Sequence, residues 1–235
     1  MKENSIRRAV REGRAALGTG LKEFASRGVP WIIEAAGFDY CAIDHEHGAF
    51  DMETIANLAS WFQATNVSAI VRIHKSFAHL IPGILDQGIM GIQVSEVENA
   101  KEARAIVRLA KYPPIGNRGI SGQGPHTGYN SYGARHATEY APWANENIII
   151  CPSIESLEGL ENVEEIAAVE GIDMIAYGHS DQARSLGFTS TLSTRLSRRR
   201  CGGSRRHAMH MASSRVDRRR PRRRSRNIGS SGVRC

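Results

Sequence analysis

The sequence predicts one α/β domain built on a parallel sheet, and three observations carry that expectation. Runs of strand length, apolar throughout, alternate with amphipathic stretches over most of the chain. A length of 235 residues with 41% hydrophobic content suits one large core better than two small ones. Finally, four of the apolar runs end in ionisable residues, and strand C-termini are where α/β folds assemble their sites.

The first of those four runs is Tyr40 to Phe50, where YCAI leads into Asp44, His45, Glu46 and His47. Buried acids and imidazoles are costly without partners, so such a cluster marks either a wet surface turn or the lip of a site for proton or metal chemistry. Val67 to His74 then carries Arg72 near its end, Asn147 to Glu155 ends in Glu155, and Gly171 to Asp181 ends in Asp181. One base, one cation and two carboxylates thus share the same topological position.

The elements follow in order. Ser5 to Ala15 reads as a short amphipathic helix, and Leu17 to Phe24 as a first strand broken by Gly18 and Gly20. Pro30 to Ala36 is helical, with Pro30 at its start and Gly37 as its stop. Strand two is Tyr40 to Ile43, and Asp51 caps a helix through Ala64 with Ile55, Leu58, Ala59 and Phe62 on one face. Val67 to Ile73 is strand three, His79 to Asp86 a helix stopped by Gly88, and Gly91 to Val94 strand four. Asn99 caps the helix Ala100 to Ala110. Residues 111–146 are long for a connection and rich in Gly, Pro, His and aromatics. They are either a lid with Arg118, His126, Tyr129 and Tyr132 facing a ligand, or an excursion packed on itself. Asn147 to Ile154, a helix over Leu157 to Val169, and Ile172 to Tyr177 complete six β/α units. A closed barrel needs eight.

Charge divides the chain at Phe188. Residues 189–235 hold 15 Arg, no Lys and one acid, a net +14, whereas residues 1–188 carry 16 basic and 23 acidic side chains, a net −7. A tail with no aromatic residue cannot offset its ordering entropy, and disorder is expected there. A linker, a nucleic-acid-binding arm and a reading-frame shift after Phe188 all fit. The arm lacks aromatic platforms or a reading module, and arginine without lysine favours the shift. The four cysteines, Cys41, Cys151, Cys201 and Cys235, lack CxxC spacing, and no apolar run spans a membrane, so a cytoplasmic protein is expected.

Residue chemistry alone makes Glu155 and Asp181 the metal ligands, since two carboxylates suit a hard ion such as Mg²⁺ or Mn²⁺ that keeps its waters. Arg72 supplies a fixed cation for a carboxylate or a developing enolate oxygen, and His47 a base titrating near neutrality. Together these describe metal-assisted enolate chemistry.

The ordered series DHEHG (44–48), VRIHK (71–75), LDQGIMGIQV (85–94), KYPPIGNRG (111–119), SIES (153–156) and GHSDQARSLG (178–187) resembles the motif set of the HpcH/HpaI aldolase and citrate lyase superfamily, over residues 15–188. Within it the likeness is to the class II 2-oxo acid aldolases typified by 4-hydroxy-2-oxoheptane-1,7-dioate aldolase. The resemblance implies a TIM (β/α)8 barrel, here an incomplete one over residues 1–188, and a divalent cation (Mg²⁺, Mn²⁺ or Co²⁺). It also implies cleavage of a 4-hydroxy-2-oxo acid to pyruvate and an aldehyde. Glu155 and Asp181 match the metal ligands, Arg72 the enolate-stabilising arginine, and His47 with Asp86 the base dyad. Backbone amides around Ser180 and Asp181 match the site for the pyruvate carboxylate. The alternatives are a citrate lyase β-like CoA-ester lyase, or an inactive barrel fragment with a nucleic-acid-binding tail. The family forms hexamers as trimers of dimers that exchange a last helix, an element the six units do not include. Three positions depart from the pattern: Ser95 and His179 replace Pro, and Ser153 replaces a Gln that lies near the bound oxo acid.

Overall fold

A computed structural model describes residues 2–185 and 187; the arginine-rich tail and the expectation of its disorder lie outside these residues. Six parallel strands run in sequence order across one curled sheet, an incomplete barrel: β1 (Gly18–Leu21), β2 (Tyr40–Asp44), β3 (Ser68–His74), β4 (Gly91–Ser95), β5 (Ile149–Ile154) and β6 (Ala176–Tyr177). Each strand pairs with the next, with Asp44 beside Arg72, Arg72 beside Gln93 and Gln93 beside Cys151.

Strand alternation sorts the side chains into two cores. Cys41, Ile43, Val71, Ile73, Ile92 and Val94 face outward onto the helices α3 (Met52–Gln63), α4 (Ile81–Asp86) and α5 (Ala100–Ala110). The inward face holds Tyr40, Ala42, Ile70, Ile149, Cys151 and Ala176, packed with Ile6 from α1 (Ser5–Arg11). Burial on both faces is why these strands read as continuous apolar runs rather than alternating ones. Burial also pushes the Cys41 and Cys151 thiols up to about 12, and both are free.

Helix α1 plugs the N-terminal end of the sheet, and its polar groups are paired there. Asn4 caps the helix by accepting from the Ile6 N–H, and donates through Nδ2 to the Met90 carbonyl at 2.8 Å. The Ser5 N–H donates to Ser68 Oγ at 2.9 Å, while Ser5 Oγ donates to the Asp39 carbonyl.

Caps read from the sequence hold: Asp51 Oδ1 accepts from the Thr54 N–H and Asn99 Oδ1 from the Glu102 N–H. Gly88 ends its helix with φ +89°. Several expectations need correction. The helix over 5–15 stops at Arg11, where Gly13 turns the chain with φ +75°. Of the two readings of 111–146, the structure favours the excursion packed on itself: a π-helical turn (His136–Tyr140) leads into α6 (Ala141–Asn147). Its aromatic residues pack on one another, with Tyr140 against Tyr112, His126, Tyr132 and Trp143. The helix over 157–169 is two, α7 (Leu157–Glu161) and α8 (Val163–Ala168). Strand six shortens to two residues because Asp173 Oδ2 takes the Ile150 N–H that a longer ladder would use. A helix the sequence reading omitted, α9 (His179–Ser185), follows it.

Candidate active site

The strand ends gather charge. Arg72, inward-facing on β3, places Nη2 2.6 Å from Glu46 Oε2 and 3.7 Å from Glu155 Oε1, while its Nη1 lies 3.7 Å from Asp44 Oδ2. Asp44 also meets Lys22 Nζ at 3.1 Å and accepts the backbone N–H groups of Glu46 and His47, an arrangement that turns the chain sharply as it leaves β2. Ser95 Oγ donates to Glu46 Oε1 at 2.7 Å, and His74 Nε2 lies 3.1 Å from Glu96 Oε2. Glu96 holds φ +57°, a conformation non-glycine residues adopt at a cost, where β4 gives way to its loop.

Two buried carboxyls in this ring respond oppositely. Burial pushes Asp44 up, but the His47 N–H, Lys22 and Arg72 outweigh it and hold the group below the usual carboxylate range. Glu155, 6% exposed, is pushed up to about 7, chiefly by burial; Arg72 opposes the rise, and the charges of Glu46, Asp181 and Glu96 add to it. Gly178 lets the backbone pass against this carboxyl, since a Cβ there would meet Glu155 Cγ at 2.5 Å. One guanidinium and one ammonium thus face Asp44, Glu46 and Glu155 together, with Asp181 close enough to act on Glu155.

That surplus of hard oxygen donors fits a divalent cation retaining several waters, held by one or two carboxylates. Glu155 is the buried donor and Asp181, in the first turn of α9, the half-buried one, now paired with Arg184 at 3.2 Å. Among the described residues no group of three or more His, Cys, Asp or Glu side chains is arranged to hold an ion, so waters or substrate oxygens would complete the shell.

The structure brings together Arg72, Glu155 and Asp181, and sets Ser153 beneath them on β5, where its Oγ accepts from Gln93 Nε2 at 2.9 Å. Ser180 is exposed on the first turn of α9. His47 is exposed beside Glu46, its Nε2 3.7 Å from Oε2. Asp86 does not join it within this chain: it ends α4 at the N-terminal end of the sheet, opposite His47, and pairs there with the buried Arg118. The five residues of β4 separate the two ends by about 16 Å. The cluster at the exit of β2 already marked Asp44 and Glu46 as the lip of a site; sequence reasoning did not point to Lys22, Gln93 and Ser95 beside them. Asp44 and Glu46 stood in the opening motif and were legible as acids; their partners were not.

The HpcH/HpaI aldolase/citrate lyase model matches residues 30–211 of this chain. The chain belongs to that family. Among curated HpcH/HpaI relatives, hydroxypyruvate/pyruvate aldolase of Deinococcus radiodurans is 36% identical over 186 residues, covering 78% of this chain and 65% of the relative. The 4-hydroxy-2-oxovalerate aldolase of Novosphingobium aromaticivorans is 34% identical over 191 residues, covering 79% and 68%. This chain therefore spans about two thirds of their length. The crystal structure of an HpcH/HpaI aldolase from Desulfitobacterium hafniense superposes with a TM-score of 0.76 at 28% identity, covering 90% of this chain and 78% of that one. Citrate synthase SbnG superposes at 0.73 with 27% identity, covering 91% and 80%. No helix among the described residues is long and apolar enough to cross a membrane.

Proposed function

We propose that this chain carries the site of a metal-dependent carbon–carbon lyase that cleaves a 4-hydroxy-2-oxo acid to pyruvate and an aldehyde. The observation that carries the reading is the approach of Arg72 to Glu155, 3.7 Å apart across β4 at the ends of β3 and β5, with the glutamate buried and its proton affinity raised. A divalent cation on Glu155 and Asp181 would lend positive charge to the 2-oxo group. Arg72 offers a planar donor fork to the oxygen on which negative charge grows as the carbon–carbon bond breaks. Glu46 and Asp44 hold that fork in place, so little reorganisation is needed in the reaction. His47 removes the proton of the C4 hydroxyl; C3–C4 then breaks, the aldehyde leaves, and a proton returned to C3 yields pyruvate. The backbone around Ser180 and Asp181 lies where a substrate carboxylate would rest. Because His47 and Asp86 stand at opposite ends of one sheet, their pairing as a dyad requires two copies of the chain.

The test is release of pyruvate from 4-hydroxy-2-oxo acids, coupled to lactate dehydrogenase, with Mg²⁺, Mn²⁺ or Co²⁺ added and then chelated. Metal-dependent release is expected; its absence for every such acid overturns the reading. Competition by CoA esters instead of free oxo acids would move the assignment to a CoA-ester lyase, a branch kept in view by the citrate lyases that share the family model.

A further inference from the structure

We propose that Gln93 selects the oxo acid, favouring one that bears a hydroxyl on the carbon that becomes the nucleophile. This rests on the aldolase reading of the site and narrows its substrates to 3,4-dihydroxy-2-oxo acids, whose cleavage releases hydroxypyruvate in place of pyruvate.

The argument starts from strand register. Gln93 is the β4 partner of Arg72 on β3, so the two side chains share the inward face. Ser153 stands two residues before Glu155 on β5, hence on the same face and one layer lower. The hydrogen bond from Gln93 Nε2 to Ser153 Oγ, 2.9 Å, therefore crosses the interior below the gap between Arg72 and Glu155. Beneath it the filling is apolar: Ala42, Ile70, Ile149 and Cys151. A ligand spanning Arg72 and Glu155 rests on this amide as its floor.

The amide is anchored at one end and free at the other. Ser153 is 1% exposed and occupies one of the two N–H donors. Gln93 is only half-buried, and among the described residues its carbonyl oxygen has no hydrogen-bond partner. An oriented carbonyl there accepts a hydrogen bond from a hydroxyl and offers nothing to a methyl group. Pyruvate presents the methyl; hydroxypyruvate presents the hydroxyl. A site that hydrogen-bonds a substrate hydroxyl discriminates strongly against the analogue lacking it.

The experiment titrates the full chain, with Mg²⁺ present, with hydroxypyruvate and with pyruvate by calorimetry. Tighter binding of hydroxypyruvate by about tenfold is expected, below the limit for a fully buried contact because the amide is partly open. Gln93→Met should bring the two affinities within about twofold of each other through weaker hydroxypyruvate binding. Ser153→Ala, which keeps the amide but frees it to rotate, should give an intermediate ratio and decides the matter if Gln93→Met does not fold. Equal binding by the unaltered chain, or a ratio untouched in the folded variants, overturns the proposal. A preference for hydroxypyruvate without any aldol cleavage leaves this inference standing and removes the lyase reading; cleavage without preference does the reverse. Binding of neither acid removes both.

Discussion

The two ends of the sheet are built from the same strands and carry opposite polar economies. At the N-terminal end, α1 closes the interior, Asn4, Ser5, Ser68 and Asn147 satisfy one another and the strand backbone, and the acids there are matched by cations, Asp173 by Arg7 and Lys111 and Asp39 by Arg14. At the C-terminal end, Glu155 is buried among like charges with one guanidinium to share, and its proton affinity rises accordingly. The closed end gains stability from its polar groups. The open end gives stability up, and a site that needs charge in low dielectric must do so.

Breaking the open end at Glu155 should have the largest effect. Glu155→Gln is expected to lower kcat/KM on the order of a thousandfold, yet to raise the stability of the metal-free protein at pH 8 by about 1 to 3 kcal/mol, measured by denaturant titration. The sign follows from linkage. The folded state holds the Glu155 proton up to about pH 7 against an ordinary 4.5. Its contribution to stability is thus complete below 4.5 and lost as pH rises to about 7. Metal and proton compete for the same oxygens, so Mg²⁺ affinity should climb across that interval and level off above it, whereas Gln at this position should flatten the curve.

Arg72→Met removes the cation from among Asp44, Glu46 and Glu155. A loss of about 3 kcal/mol at pH 7 is expected, shrinking towards pH 5 as Glu155 takes up its proton, together with a hundredfold or greater fall in activity. Next comes the couple that spans the two ends. His47→Ala and Asp86→Asn should each lower cleavage, and mixing the two inactive proteins should restore it if two copies supply the dyad. Mixtures that stay inactive leave His47 oriented by Glu46 alone. The smallest effect on chemistry belongs to the closed end: Asn4→Ala should cost about 1 to 2 kcal/mol through the lost cap and the Met90 carbonyl, with kcat/KM of the folded protein unchanged.

Strands two to five and the caps Asp51 and Asn99 were legible because apolar runs and capping side chains act locally. Elements decided by long-range competition were not. Asp173 shortened β6 by taking an N–H from β5, and the aromatic packing around Tyr140 decided between the two readings that composition left open for residues 111–146. The same division runs through the site. Arg72, Glu155 and Asp181 were legible as chemistry at strand ends, while Asp86, joined to His47 by the family resemblance, lies across the sheet in this chain.

By itself the sequence determined which charged groups stand at the strand exits, because strand length and polarity change are properties of neighbouring residues. Only the tertiary structure decided which of them meet. Glu46 rather than Asp86 borders His47, and Gln93 crosses to Ser153, because register between strands and the curl of the sheet bring together side chains 49 and 60 positions apart in such pairs as Glu46 with Ser95 and Gln93 with Ser153. No local pattern encodes those distances, and the chemistry proposed for this chain depends on them.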